Sequence, residues 1–468
     1  MREFAFKSAL ELRNGLLKKE FSAVEVVSAS IEAMERTEPV LNAFVTRTPE
    51  LALEAARACD MAQANNEPLG PLHGLPISIK DLIPVGGVRH TSGSLITKDN
   101  IAEFDAPVVE RLRKAGACII GKTTTSEFGC KAVGDSPLTG ITRNPWNTGK
   151  TTGGSSAGAA ASVAAGVTPF AIGTDGGGSA RIPASFCGIF GFKGQFGRAP
   201  VYPTAATPTL AHIGPMARTV RDAALLMGAI AGFDGRDPGS VSAPIPDFLA
   251  ACDVPVAGMR IAWSPTLGYG RTLPEVAEIT EAAAKAFQAL GCQVEQVDDI
   301  FDKDPVELMQ AEYYAGVGTR LNNYLVNSRE RFDPAVAGSL DHAMEQRIDD
   351  YYNKVFARYA LRERLRRFFE QYDLILCPTL PVAAFDTGLN HPPELPERDM
   401  VSWVSYTYPF NLTGQPAASI PCGFTKEGLP VGLQIVGRTN CETDVFRAAS
   451  AFEAIQPWSQ HQPQLPSI

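Results

Sequence analysis

Val27, Ile31 and Met34 recur at the three-and-four spacing of a single helical face, and Ser22 with Glu25 just ahead of them forms a capping box. The pattern predicts an N-terminal helix. Thr48-Pro49 marks a second helix start. The period then changes. In PLHGLPISIKDLI (71–83) a short apolar run bounded by Gly74 and Pro76 reads as a buried strand ending near Lys80. Asp105-Ala106-Pro107 opens a helix with Val108, Leu112 and Ala115 on one face, Gly116 closes it, and ACIIG (117–121) follows as a strand.

The alternation continues along the chain. It predicts helices at about 156–166 and 219–231, strands at 168–174 and 259–263, a helix and strand within 273–297, and a long helical region at about 340–371. Strands at 373–378 and 431–437 and a helix near 443–456 complete it. Such alternation is the signature of an α/β fold with a mixed or parallel sheet. Residues 232–258, rich in Pro, Gly and Asp, read as a surface crossing. The segment 155–173, SSAGAAASVAAGVTPFAIG, is long and uncharged enough to mimic a membrane span. Its Ala, Gly and Ser content and Pro169 instead predict a tightly packed interior helix running into a strand.

Composition changes this picture little. Of 468 residues, 45% are hydrophobic and 20% charged, as in ordinary globular proteins. The formal net charge of −9 argues against a generally basic nucleic-acid surface, so no nucleic-acid and no membrane partner is expected. Nine cysteines without a CxxC pair make a disulfide framework or zinc ribbon a poor reading and point to the reducing cytoplasm. Charges every few residues in MREFAFKSALELRNGLLKKE break the apolar core a signal peptide needs.

Three features invite a function and have plainer explanations. GACIIGKT (116–123) satisfies the phosphate-loop expression, yet its middle residues form an apolar strand arriving after a helix, where a phosphate loop needs a loop ahead of one. RYALRERLRRFFEQY (358–372) interleaves basic and aromatic residues, but Leu361, Leu365, Phe368 and Tyr372 share a helical face, which predicts a solvated arginine face over a core stripe. The six histidines form no HxH or HExxH cluster, so no metal site is expected.

The stretch GTDGGGSARIPAS (173–185) is different. Three glycines run into Ser179, a backbone stripped of side chains beside a hydroxyl. With TTGGSSAGAA (151–160) and PISIKD (76–81), in this order, it resembles the amidase signature family. Ser155 follows Lys80 by 75 residues and Ser179 follows Ser155 by 24, and the likeness extends through NPWN (144–147), FNLTGQPAASIP (410–421) and GLPVGLQIVG (428–437).

The resemblance implies the amidase signature fold, a central mixed β-sheet with helices on both faces, as a single domain over 1–468. Its catalytic core would span about 70–215 and a more variable substrate-covering region about 232–400. It implies Ser179 as nucleophile, a bridging Ser155 after a cis Gly154–Ser155 bond, and Lys80 as a base that serves only when burial keeps it neutral. The N–H groups of Gly176, Gly177, Gly178 and Ser179 would form the oxyanion hole. Ser156, Asp175 and Arg181 would pin the loop, and Phe128, Cys130 and Ile182 would line the pocket under a cover from 300–345. Gly176 stands where threonine is common, and Ala157 and Ala180 replace frequent Gly and Ile; no reacting group is lost.

The implied activity is hydrolysis of a carboxylic amide through an acyl-enzyme, with no metal or organic cofactor, on a small-molecule amide substrate. Aryl and aliphatic amides, esters and carbamates are all open, as is a homodimer. The alternative is the glutaminase subunit of a tRNA-dependent amidotransferase. Those subunits resemble S-I-R-Q-P-A after the nucleophile, whereas this chain carries apolar Ile182 in Ser-Ala-Arg-Ile-Pro-Ala.

Overall fold

The computed structural model describes residues 4–465. Eleven strands build one mixed sheet: β1 (Phe44–Arg47), β2 (Pro76–Lys80), β3 (Cys118–Thr123), β4 (Phe170–Thr174), β5 (Phe190–Lys193), β6 (Ile213–Ala217), β7 (Arg260–Trp263), β8 (Gln293–Gln296), β9 (Leu374–Pro378), β10 (Ala417–Phe424) and β11 (Pro430–Gly437). They lie in the order β1-β3-β2-β4-β6-β5-β10-β11-β9-β7-β8. The pairs β3–β2, β2–β4, β9–β7 and β7–β8 are parallel, and the remainder antiparallel. Helices flank the sheet, which is why β2, Pro-Ile-Ser-Ile-Lys, is buried at every position and shows no polar alternation.

The expected mixed α/β architecture is present. Ser22 and Glu25 form a reciprocal capping box on helix Ala23–Leu41, and Ser8 and Glu11 do the same for Ala9–Leu17. The interior helix is α1 (Ala157–Ala164), fully buried and followed by β4. Its small residues admit a close approach: a Cβ on Gly158 would lie 2.0 Å from the Ala43 carbonyl oxygen. Among the described residues no helix is long and apolar enough to cross a membrane.

Residues 116–123 contain no phosphate loop. Gly121, Lys122 and Thr123 continue β3, where every residue is buried, and Lys122 Nζ is paired with Asp81 at 2.8 Å. The basic stretch 358–372 is likewise spoken for: Arg358 pairs with Glu312, Arg364 with Asp302, and Arg366 with Glu363 and Glu370, over buried Leu365.

The covering region departs from the periodicity. The short helix α2 (Arg181–Cys187) lies in the core, and between 300 and 370 the cover is built of α3 (Val306–Asn327), α4 (Pro334–Met344) and α5 (Ile348–Phe368). The long helical region expected at about 340–371 is made of the end of α4 and of α5: Asp333 caps α4 with Pro334 in its first turn, and Arg347 precedes α5. In α3 Tyr314, Val317, Leu321 and Leu325 recur at three-and-four spacing and enter one apolar cluster, while Met309 packs into another.

Candidate active site

Parallel strands β2 and β4 bring their carboxyl ends together, placing Lys80 beside Thr174. Lys80 Nζ donates to Ser155 Oγ at 2.7 Å and to Thr174 Oγ1 at 2.8 Å. The side chain is fully buried. Desolvation drives its pKa far below the ordinary lysine value, against the opposing pull of the Asp175 charge. One strand away, burial also lowers Lys122, but Asp81 in direct contact counters it. The two buried lysines thus differ by one touching carboxylate. The Gly154–Ser155 peptide is cis.

The loop after β4 is braced from both sides. Asp175, fully buried, accepts from Arg181 Nε and Nη2 at 2.9 Å each. Burial would raise the Asp175 carboxyl, but the guanidinium overrides this and holds it well below the usual carboxylate range. Arg181 continues outward to Asn411 Oδ1 and Gln434 Oε1, both at 2.6 Å, and to the Thr407 carbonyl at 2.9 Å. Ser156 ties the neighbouring turn to the same loop: its N–H donates to the Ser179 carbonyl, and its hydroxyl donates to the Thr174 carbonyl. Ser156, Asp175 and Arg181 are thereby brought together around the turn at 174–179.

One element of the expected oxyanion hole is reassigned. The Gly178 N–H donates to Asp175 Oδ1 at 2.8 Å, because φ of +130° at Gly178 turns it toward that carboxylate. Among the described residues the N–H groups of Gly176, Gly177 and Ser179 have no acceptor. The missing side chains also make room for neighbours. A Cβ on Gly176 would sit 2.8 Å from the Tyr313 ring, on Gly177 2.6 Å from Met309 Cε, and on Gly178 2.3 Å from Thr407 Oγ1.

Ser179, 8% exposed, lines a chamber of about 20 Å³ with Cys130, Ile182, Met309 and Val404. Its hydroxyl makes no hydrogen bond to Ser155 or Lys80, and its backbone carbonyl accepts from the Ser156 N–H at 3.1 Å. Phe128, with φ of +49°, lines instead a larger cavity of about 310 Å³ that reaches Thr174 and Gly176. Of the three pocket residues expected, Cys130 and Ile182 therefore share the Ser179 chamber and Phe128 does not.

No sequence pattern points to Thr174, Thr407, Asn411, Gln434 or Tyr313 individually. Asn411 and Gln434 do fall inside the late stretches 410–421 and 428–437, which carry a signal. They lie 230 and 253 residues from their partner Arg181, which no local pattern reports.

A family model described as Amidase matches residues 25–446. The chain is 36% identical to a glutamyl-tRNA(Gln) amidotransferase subunit from Thermosynechococcus vestitus, over 97% of this chain and 99% of that protein. It is also 36% identical to an acylamidase of Rhodococcus erythropolis, with 97% of each chain covered. A solved bacterial aryl acylamidase described as belonging to the amidase signature enzymes family superposes with a TM-score of 0.92 at 31% identity, over 98% of both chains.

Proposed function

Because this chain belongs to the amidase signature family, whose members hydrolyse amide C–N bonds, we propose that it cleaves small carboxylic amides through Ser179, Ser155 and Lys80. The observation that carries this is the 2.7 Å hydrogen bond between a buried lysine of depressed pKa and Ser155, next to a serine that faces a chamber. Ser179 Oγ bonds to the carbonyl carbon and passes its proton to Ser155, whose own proton goes to the Lys80 lone pair. Charge developing on the carbonyl oxygen meets the N–H groups of Gly176, Gly177 and Ser179. Ser155 protonates the departing nitrogen, Lys80 returns a proton to Ser155, and water releases the acid from Ser179 by the same relay.

The catalytic part is assigned to about 70–215 of a single domain, with 232–400 as its cover. Nine free thiols support a reducing, cytoplasmic setting.

Identity alone does not separate a free hydrolase from an amidotransferase component. The chamber favours the former. A glutamine substrate carries an ammonium and a carboxylate, yet Ser179 is surrounded by Ile182, Val401, Val404 and Met309, and Lys131 beside it is already paired with Asp135 and Asp333. A panel of amides read by mass spectrometry tests the reading. Hydrolysis by the isolated chain supports it, and activity confined to glutamine with copurifying partner proteins selects the amidotransferase.

A further inference from the structure

Among the described residues Tyr313 alone lines both cavities described above. Its hydroxyl donates to the Gly129 carbonyl at 2.9 Å, and its ring lies over Gly176. It therefore spans from the 128–129 turn to the 176–177 turn. On each turn the two adjacent residues face different cavities: Phe128 and Gly176 the outer, Gly129 and Gly177 the inner. A side chain that joins the two walls at this point is a partition.

The compartments differ in what they hold. One water needs about 10–15 Å³ of such space, and an apolar cavity of about 150 Å³ accepts benzene. The inner chamber, at about 20 Å³, accommodates a group of one or two heavy atoms. The outer cavity, at about 310 Å³, is walled by Phe128, Tyr202, Val317 and Leu321 and takes a bulky apolar group. The proton path fixes which half of an amide goes where. Thr174, bonded to Lys80, faces the outer cavity, and a Cβ on Gly129 would lie 3.3 Å from both Ser155 Oγ and the Tyr313 hydroxyl. The protonating hydroxyl thus stands at the partition, so the nitrogen leaves outward while the acyl group stays on Ser179 within.

We infer that Tyr313 is a specificity-determining residue that confines the acyl group to acetyl size, and that the substrates are short-chain amides of bulky apolar, aryl-type amines. This rests on the hydrolase reading with Ser179 as nucleophile.

The test compares 4-nitroanilides of acetic, butyric, hexanoic and octanoic acids on wild type, Tyr313→Phe, Tyr313→Leu and Tyr313→Ala. In wild type and Tyr313→Phe, which keeps the ring, kcat/KM is expected to fall at least tenfold from acetyl to hexanoyl. Tyr313→Ala and Tyr313→Leu are expected to raise the octanoyl-to-acetyl ratio of kcat/KM at least tenfold, mainly through KM for the octanoyl anilide. Equal losses at every acyl length overturn the partition. Alkyl fluorophosphonates of one and twelve carbons give the same comparison as labelling rates at Ser179, without turnover. Absence of Ser179 labelling in every variant defeats the hydrolase reading itself. Labelling with an unchanged chain-length profile defeats the partition alone.

Discussion

Lys80 Nζ lies 2.7 Å from Ser155 Oγ, with both side chains removed from water. Burial of the amine without a touching carboxylate is what gives a lysine a lone pair near neutral pH. Activity is therefore expected to rise with pH through the lowered lysine pKa, and Lys80→Met to remove both that dependence and most amide hydrolysis. Rates from about pH 6 to 10 on an amide and an activated ester check it, since ester departure needs less protonation and should suffer less. An unchanged pH profile in the variant removes Lys80 as the base.

The same lysine carries a stability signature. Its folded pKa lies below its unfolded value, so as pH falls from the ordinary lysine range the unfolded chain takes up a proton first. Stability is lost over that interval and stops declining once pH passes below the lowered folded value. Lys80→Met is expected to be inactive yet more stable than wild type at neutral pH, with the gap closing near pH 10 to 11, about the unfolded lysine value. Urea denaturation at the two pH values measures it.

Ser179→Ala is expected to abolish covalent labelling by a fluorophosphonate, because the oxygen that would bond is gone, with an unchanged melting curve. Ser155→Ala keeps that oxygen but breaks the relay, and turnover should fall roughly 10²–10⁴-fold. Mass spectrometry of the labelled peptide identifies the serine; label persisting elsewhere in Ser179→Ala moves the nucleophile.

Asp175→Asn leaves the Arg181 guanidinium buried with its carboxylate gone. Loss of about 3–5 kcal/mol is expected, as for other buried pairs broken on one side. The Gly178 N–H would lose its charged acceptor too, so labelling of Ser179 should slow even in folded protein. A denaturation midpoint equal to that of wild type excludes the brace.

Adjacent glycines should respond unequally to alanine. At Gly178 the backbone is left-handed and a Cβ meets Thr407 Oγ1 at 2.3 Å, so strain alone costs about 1–3 kcal/mol and activity is lost. At Gly177 the obstacle is the flexible end of Met309, which can move aside. Gly177→Ala is therefore expected to fold normally with reduced turnover, and Met309→Ala to restore part of it. Thermal melts and rates on the three variants decide.

Seven strands of the sheet and the proposed reacting residues are legible in the sequence because their signals are local, whereas β1, β5, β6 and β10 lie outside the expected strands. A capping box, a buried Pro-Ile-Ser-Ile-Lys run and a glycine-serine turn each sit within a few residues. Ser8 with Glu11 carries the same signal as Ser22 with Glu25 and caps a helix in the same way. What the sequence conceals depends on contacts far apart in the chain. Helix α3 divides its apolar residues between two clusters, a division that its helical spacing does not report. The direction of the Gly178 N–H follows from a carboxylate three residues back that is itself held by Arg181. The division of the pocket follows from Tyr313, whose partners at 129 and 176 belong to other segments.

The brace on Arg181 also sets an order of events during synthesis. Lys80, Ser155 and Ser179 leave the ribosome well before Asn411 and Gln434, which stand 230 and 253 residues beyond Arg181 and complete its contacts. Met309 and Tyr313, which close over the glycines, also arrive later. On the proposed mechanism a nascent chain thus carries every reacting group before it has the means to hold them, and a fragment ending before Asn411 is expected to be released without stray esterase or amidase activity.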